Sequence, residues 1–419
     1  MNNVDSTETS FWKLWSPAFS GFLLNTTSIG LFGIYGVFVN VIAKEFNSSA
    51  TALGVGMALV ALVLGGTGPI IGPLLDRYPI KKIMLIGVGV MLLSFFFLTN
   101  GSSLKVLAVA LCFVSLGVAL FGQMPVNVML VNNYIEYRGR ALAIAAAGAS
   151  FSGVILPPLA AILVSAFGWR HGLMILVIIC GSVALWAILF GLKHYKKHDP
   201  ESDVIPKRYI PSYSTSTEQK DTSENITLFH SKAFWLIGIC FGLSYSVGSI
   251  YTFALIPHTQ NLGYDIQAAA LILSVGGAFG FIGKITYSIY ADRLKDKLIL
   301  TALCLLTIQL MVWFTVINTD DINMLYLSAA GVGLCSGTFL PLYPVFISTY
   351  FDEADMGKVS GNQGPVFIPF MLLAAPLAGV AFDTTGSYIP IFWGALGVTV
   401  VMMLLFTLLG NPQKPNNKT

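Results

Sequence analysis

One lysine stands apart from every other charge in this 419-residue chain. Lys284 lies inside the apolar run 266–290, eight residues before Asp292, so about 12 Å of helix separates it from the nearest polar connection. Each of the 20 acidic residues falls in a tail, a connection or a helix end, so no carboxylate inside an apolar run is offered as its partner. If that run spans a bilayer, the ammonium must face a polar cavity, lose its proton, or meet an anion that comes and goes. Snorkelling to the nearer surface is the bland explanation, but the depth and the Gly-rich run favour the functional one. Weaker candidates share the apolar runs. Gln123 and Asn127 are one helical turn apart, as are Phe339 and Tyr343; Tyr35, Tyr245, Tyr251 and His258 lie in two further runs. Amide, hydroxyl and aromatic groups facing a cavity could orient a small anion, although helix packing uses the same residues, and for Phe339 packing is favoured. His258 beside Pro257 reads as a helix-end residue, while an imidazole there could also couple protons.

Other chemistry is excluded. His194 and His198 have helical metal-ligand spacing but sit in a basic stretch without a third ligand, so no metal is expected. The five cysteines all lie in apolar runs, unpaired in sequence, which argues against a disulfide framework. Gly276-Gly277-x-x-Gly280 reads as a close-packing surface, not a phosphate loop. No nucleophile–base arrangement, carboxylate pair or nucleotide motif is present, so neither an enzyme nor a cofactor is expected.

The elements that must position these residues follow from composition. The chain is 55% apolar and 10% charged, against roughly 25% charged in a soluble domain, which excludes an ordinary cytosolic protein. Its net charge of +3 is too small to argue for nucleic acid. The polar opening MNNVDSTETS has no cleavable-signal pattern. Twelve apolar runs are long enough to cross a membrane as helices: 17–43, 51–75, 83–99, 104–131, 141–167, 171–192, 233–258, 266–290, 298–317, 323–350, 359–382 and 388–410. The expected fold class is an all-α membrane protein of twelve transmembrane helices in two pseudo-symmetric six-helix halves. Of the 23 basic residues, nineteen fall on one side of this arrangement and three on the other, with Lys284 left over. That asymmetry places both termini in the cytoplasm, with a multi-pass chain in the cytoplasmic (inner) membrane.

The expected organisation is a cytoplasmic tail 1–16, an N-terminal half 17–192, a polar cytoplasmic linker 193–232, a C-terminal half 233–410 and a tail 411–419. The halves repeat. Asp76-Arg77 recurs as Asp292-Arg293 after 216 residues; Gly139, Pro158 and Gly168 recur as Gly357, Pro376 and Gly386 after 218. Two parallel halves joined by a tether are the architecture of a carrier working by alternating access.

At these residues the chain resembles the major facilitator superfamily. Gly72-Pro-Leu-Leu-Asp76-Arg77-Tyr-Pro-Ile-Lys81-Lys82 is similar to its first-loop signature, with Pro79 where the family has Gly. The resemblance implies a conformational gate built from Asp76, Arg77, Arg138, Arg140, Asp292 and Arg293. Three stretches resemble the monocarboxylate porter branch, which includes lactate/pyruvate carriers and the oxalate–formate exchanger. They are Tyr137-Arg-Gly-Arg140 onward to Gly168-Trp169-Arg170, Phe382-Asp383-Thr-Thr-Gly386-Ser-Tyr388, and Tyr35-Gly-Val-Phe-Val-Asn40 with Glu45-Phe46. The branch's eighth-helix arginine sits eight residues before the loop, so the resemblance gives Lys284 the role of substrate-carboxylate contact. Lysine supplies a point charge in place of a bidentate fork. Val37 stands where animal members have a lysine, and Gly280 where they have an aspartate, so that aspartate's proton handling is not carried over.

The expected function is therefore secondary active transport of a small organic anion, a monocarboxylate, by proton symport or anion exchange. The partners are that anion, protons and membrane lipid, with no nucleic acid, and the chain acts as a monomer. An exporter of drugs or siderophore-like molecules is the alternative, although the fifth helix lacks the Gly-Pro signature of drug antiporters. A membrane sensor would need a signalling domain that neither tails nor linker are long enough to supply.

Overall fold

The computed structural model describes residues 4–134, 137–194, 231–294, 297–351 and 356–410. The linker and the C-terminal tail expected from the sequence fall largely outside them. The described residues are helical, and no strand occurs among them. In chain order they form α1 (Val4–Gly33), α2 (Tyr35–Phe46), α3 (Ala50–Gly66), α4 (Gly68–Arg77), α5 (Ile80–Asn100), α6 (Leu104–Phe121), α7 (Gln123–Asn133) and α8 (Arg138–Leu189). A short 3₁₀ turn at Gly191–His194 follows. The second set is α9 (Lys232–Asn261), α10 (Ile266–Leu294), α11 (Leu298–Asn318), α12 (Ile322–Tyr350), α13 (Met356–Thr385) and α14 (Ile389–Leu409).

Ten helical stretches among the described residues are long and apolar enough to cross a membrane. One of them, Arg140–Leu189, is 50 residues long and bends at Gly168, where φ is 75°, so it holds two crossings. The apolar helix Ala50–Gly66, continued by α4, supplies the twelfth. The expected run count survives; its helices are less continuous. The first run breaks at Ile34, the second at Thr67 and the fourth at Gly122. Pro69 and Pro125 explain the last two, because each sits in the first turn of the new helix and cannot donate the hydrogen bond that would continue the old one. Helix α1 starts at Val4, inside the stretch expected as a tail. Nothing between Val4 and Pro17 breaks the backbone ladder, so the helix simply extends past its apolar portion.

The chain divides into two compact units. Unit 1 is 1–48 with 62–210, and unit 2 is 49–61 with 211–419. Apolar burial cannot bring helices together inside lipid, so close backbone packing must do so. In unit 2, α10 lies against α12 through Gly276, Gly280, Gly333 and Gly337; a Cβ on Gly333 or Gly337 would overlap the carbonyl of Gly276 or Gly280. This seam fixes the helix that carries Lys284. The core beside it is aromatic, with the Phe241 ring 5.8 Å from Phe339, 6.0 Å from Phe346 and 6.2 Å from Phe406.

Candidate functional site

Lys284 follows Gly283 directly, and the carbonyl of Gly283 accepts a hydrogen bond from the Thr338 hydroxyl at 3.4 Å. The α10–α12 seam therefore sets both the depth and the rotation of the lysine. It is half-buried and sits ten residues before the end of α10, about 15 Å along the helix axis.

On other helices of unit 2 the structure brings two of the sequence candidates onto one ring. Tyr245 is 41% exposed and packs on Phe367 at 5.7 Å; Tyr343 packs on the same ring at 5.7 Å and on Phe241 at 5.0 Å. The Tyr343 hydroxyl donates to Gln363 Oε1 at 2.9 Å, and Gln363 Nε2 donates to the Phe234 carbonyl at 2.9 Å. A carbonyl can only accept, so the amide orientation of Gln363 is fixed and its oxygen must face the tyrosine. Sequence reading did not single out Gln363. A lone glutamine in the run Gly361-Asn-Gln-Gly364-Pro365 was the available signal, since a fully buried amide needs partners.

Three candidates are engaged in packing. Phe339 is 3% exposed within the aromatic core. Tyr251 is 8% exposed, and its hydroxyl donates to the Ile272 carbonyl at 3.2 Å, joining α9 to α10. His258 is buried with its ring edge-on to Phe392 at 5.0 Å, and its Nε2 has no hydrogen-bond partner among the described residues. Gln123, Asn127 and Tyr35 belong to unit 1, the first two on the exposed face of α7 and Tyr35 half-buried at the start of α2.

Of the expected gate residues, Arg77 and Arg140 are exposed, and the Arg140 guanidinium lies 5.8 Å from the Tyr137 ring centre. The side chains of Asp76, Arg138, Asp292 and Arg293 lie outside the described ones. Lys81 donates to the Leu189 carbonyl at 3.3 Å.

A second polar cluster lies in unit 1, on residues of two of the motif stretches. Arg170 pairs with Glu45 at 2.6 Å and also donates to the Gly101 and Thr99 carbonyls. The Trp169 indole N–H donates to the other Glu45 oxygen, and the guanidinium lies 4.6 Å from the Trp169 ring centre. With the second Arg170–Glu45 bond, from Nε at 3.0 Å, five hydrogen bonds tie the end of α2, the end of α5 and the bend in α8 into one knot.

The arrangement has relatives. A family model described as the Major Facilitator Superfamily matches residues 19–367. The chain is 27% identical over 290 residues to a protein named monocarboxylate transporter 12 from Xenopus laevis, covering 63% of this chain and 60% of that one. It spans less than two thirds of the length of that relative and of its human namesake. With a TsgA homolog from Erwinia tasmaniensis it shares 25% identity over 427 residues, covering 98% of this chain and 96% of that one. A crystal structure of a bacterial homolog to the human lysosomal transporter Spinster, inward-facing and occupied, superposes with a TM-score of 0.73. That superposition covers 94% of this chain and 96% of the other at 13% identity, and speaks for the fold alone.

Proposed function

Because the chain belongs to the Major Facilitator Superfamily, we propose that it is a secondary active transporter of a small organic anion, a monocarboxylate, working by alternating access. Lys284 contacts the substrate carboxylate. The observation that carries this reading is an ammonium held within α10 by a glycine seam, far from the polar ends where the other basic residues of the chain lie. An ionisable group inside a membrane-spanning helix marks a substrate or ion pathway, and an ammonium there suits an anionic cargo. Relatives named monocarboxylate transporters support the same substrate class.

Tyr245 and Tyr343, which meet on the Phe367 ring, are the groups that would orient the substrate in unit 2, with Gln363 holding Tyr343. Gln123, Asn127 and Tyr35 offer polar groups in unit 1. Phe339, Tyr251 and His258 are assigned to packing, because little of each reaches any surface. The gate is Asp76, Arg77, Arg138, Arg140, Asp292 and Arg293. The protein acts as a monomer in the cytoplasmic membrane with both termini inside, and couples transport to protons or to a counter-anion.

The test is uptake by proteoliposomes of a panel of small acids, each paired with its neutral amide. Saturable uptake of at least one acid, no uptake of its amide, and loss of uptake in Lys284→Gln are expected. Equal transport of acid and amide, or normal uptake by Lys284→Gln, would remove the anion reading.

A further inference from the structure

Helix α3 belongs to the first sequence half, yet its opening residues 49–61 cluster with unit 2, while 62 onward clusters with unit 1. A single carboxylate from α13 caps those first turns. Asp383 Oδ1 accepts from the Ala50 N–H at 2.8 Å, and Oδ2 accepts from the Thr51 N–H at 2.9 Å and from the Thr51 hydroxyl. The Ala52 N–H donates to Ser49 Oγ at 3.2 Å. The N-terminal amides that a helix leaves unpaired are thus satisfied largely by a residue 333 positions away. The negative charge also sits where the helix dipole favours it.

The seam continues below the cap. A Cβ on Gly54 would overlap the Ala375 carbonyl, and one on Gly379 would overlap the backbone of Thr51. At both glycines the nearest atoms across the seam are backbone. Such a surface separates cleanly, and the bonds at its mouth are solvent-exposed, so water can replace them. Any movement of unit 1 against unit 2 must therefore either bend α3 or release it from α13. We propose that Asp383 is a removable latch, closing the start of α3 onto α13 in one state of the transport cycle and letting it go in the other. Its place in turnover rests on the alternating-access reading. The latch itself is testable without any substrate, so failure of the anion assignment leaves it standing.

The experiment is hydrogen–deuterium exchange, read by mass spectrometry, on the full-length chain in lipid nanodiscs. Wild type is compared with Asp383→Asn and with Thr51→Ala, which removes only the hydroxyl bond. Losing a charge-assisted bond changes an opening equilibrium by about tenfold. Exchange should therefore rise by about that factor across 52–60 and 374–381 in Asp383→Asn, and by less in Thr51→Ala, with α10–α12 unchanged. A rise confined to the amides of 50 and 51 would show a static cap and overturn the proposal. So would unchanged exchange along the seam, or protection lost equally throughout α10–α12, which would make Asp383 a general stabiliser of the fold.

Discussion

Gly168-Trp169-Arg170 and Gly386-Ser387-Tyr388 are separated by 218 residues and open on the same kind of glycine turn, yet they hold different things. Both glycines turn the chain at positive φ, 75° and 72°. After the first, Arg170 closes an ion pair on Glu45 and reaches two carbonyls of the same unit. After the second, the Tyr388 ring stacks on Phe382 at 4.6 Å, while its buried hydroxyl has no hydrogen-bond partner among the described residues. The acid next to that corner, Asp383, is spent on α3 instead. Duplication has kept what the backbone demands and let the side chains diverge. One corner locks its own half; the other lends its charge to a helix that began in the first half.

The largest expected effect is at the first corner. Arg170→Ala unpairs Glu45 and strips two carbonyls of their donors. Both side chains are about one third exposed, so the Coulomb part is discounted and the loss is about 2 kcal/mol, carried by the hydrogen bonds. A clear fall in the thermal unfolding midpoint is expected; an unchanged midpoint would mean that the knot anchors nothing. Next come Gly168→Ala and Gly386→Ala. A Cβ at either position meets no atom within 4 Å, so only the strain of positive φ is felt, about 1–3 kcal/mol. Matched losses sharpen the equivalence of the corners, and a loss at one alone breaks it. Smallest is Tyr388→Phe, which removes a buried hydroxyl that has no partner among the described residues; no loss above about 0.5 kcal/mol is expected, and a gain follows if that hydroxyl is unsatisfied. A substantially larger loss would reveal a partner for that hydroxyl and make the second corner polar after all.

Much of this was legible in the sequence, and for a physical reason. Positive φ is cheap only for glycine, so the 168/386 pair marks the same turn in both halves wherever the other residues drift. The breaks at Thr67 and Gly122 are punctuated by Pro69 and Pro125 and could be anticipated. The break at Ile34 has no proline, and the apolar run reads straight through it. Lys284 was visible because an ammonium is conspicuous among apolar residues. The Tyr343–Gln363–Phe234 chain was not, since it depends on the relative register of α9, α12 and α13, which no single-helix pattern encodes. Asp383 was legible as a motif residue and illegible as a cap, because its partner lies on a helix far away in the chain.

The central claim is that Lys284 meets the negative charge of the cargo. Equilibrium binding of a radiolabelled monocarboxylate to the purified protein, compared between wild type and Lys284→Gln, tests it most directly. Exchanging a charge-assisted contact for a neutral one should raise Kd by at least about tenfold, with Lys284→Arg retaining much of the affinity. An unaltered Kd in Lys284→Gln would contradict the account, because the lysine would then be present in the membrane without touching what the protein carries.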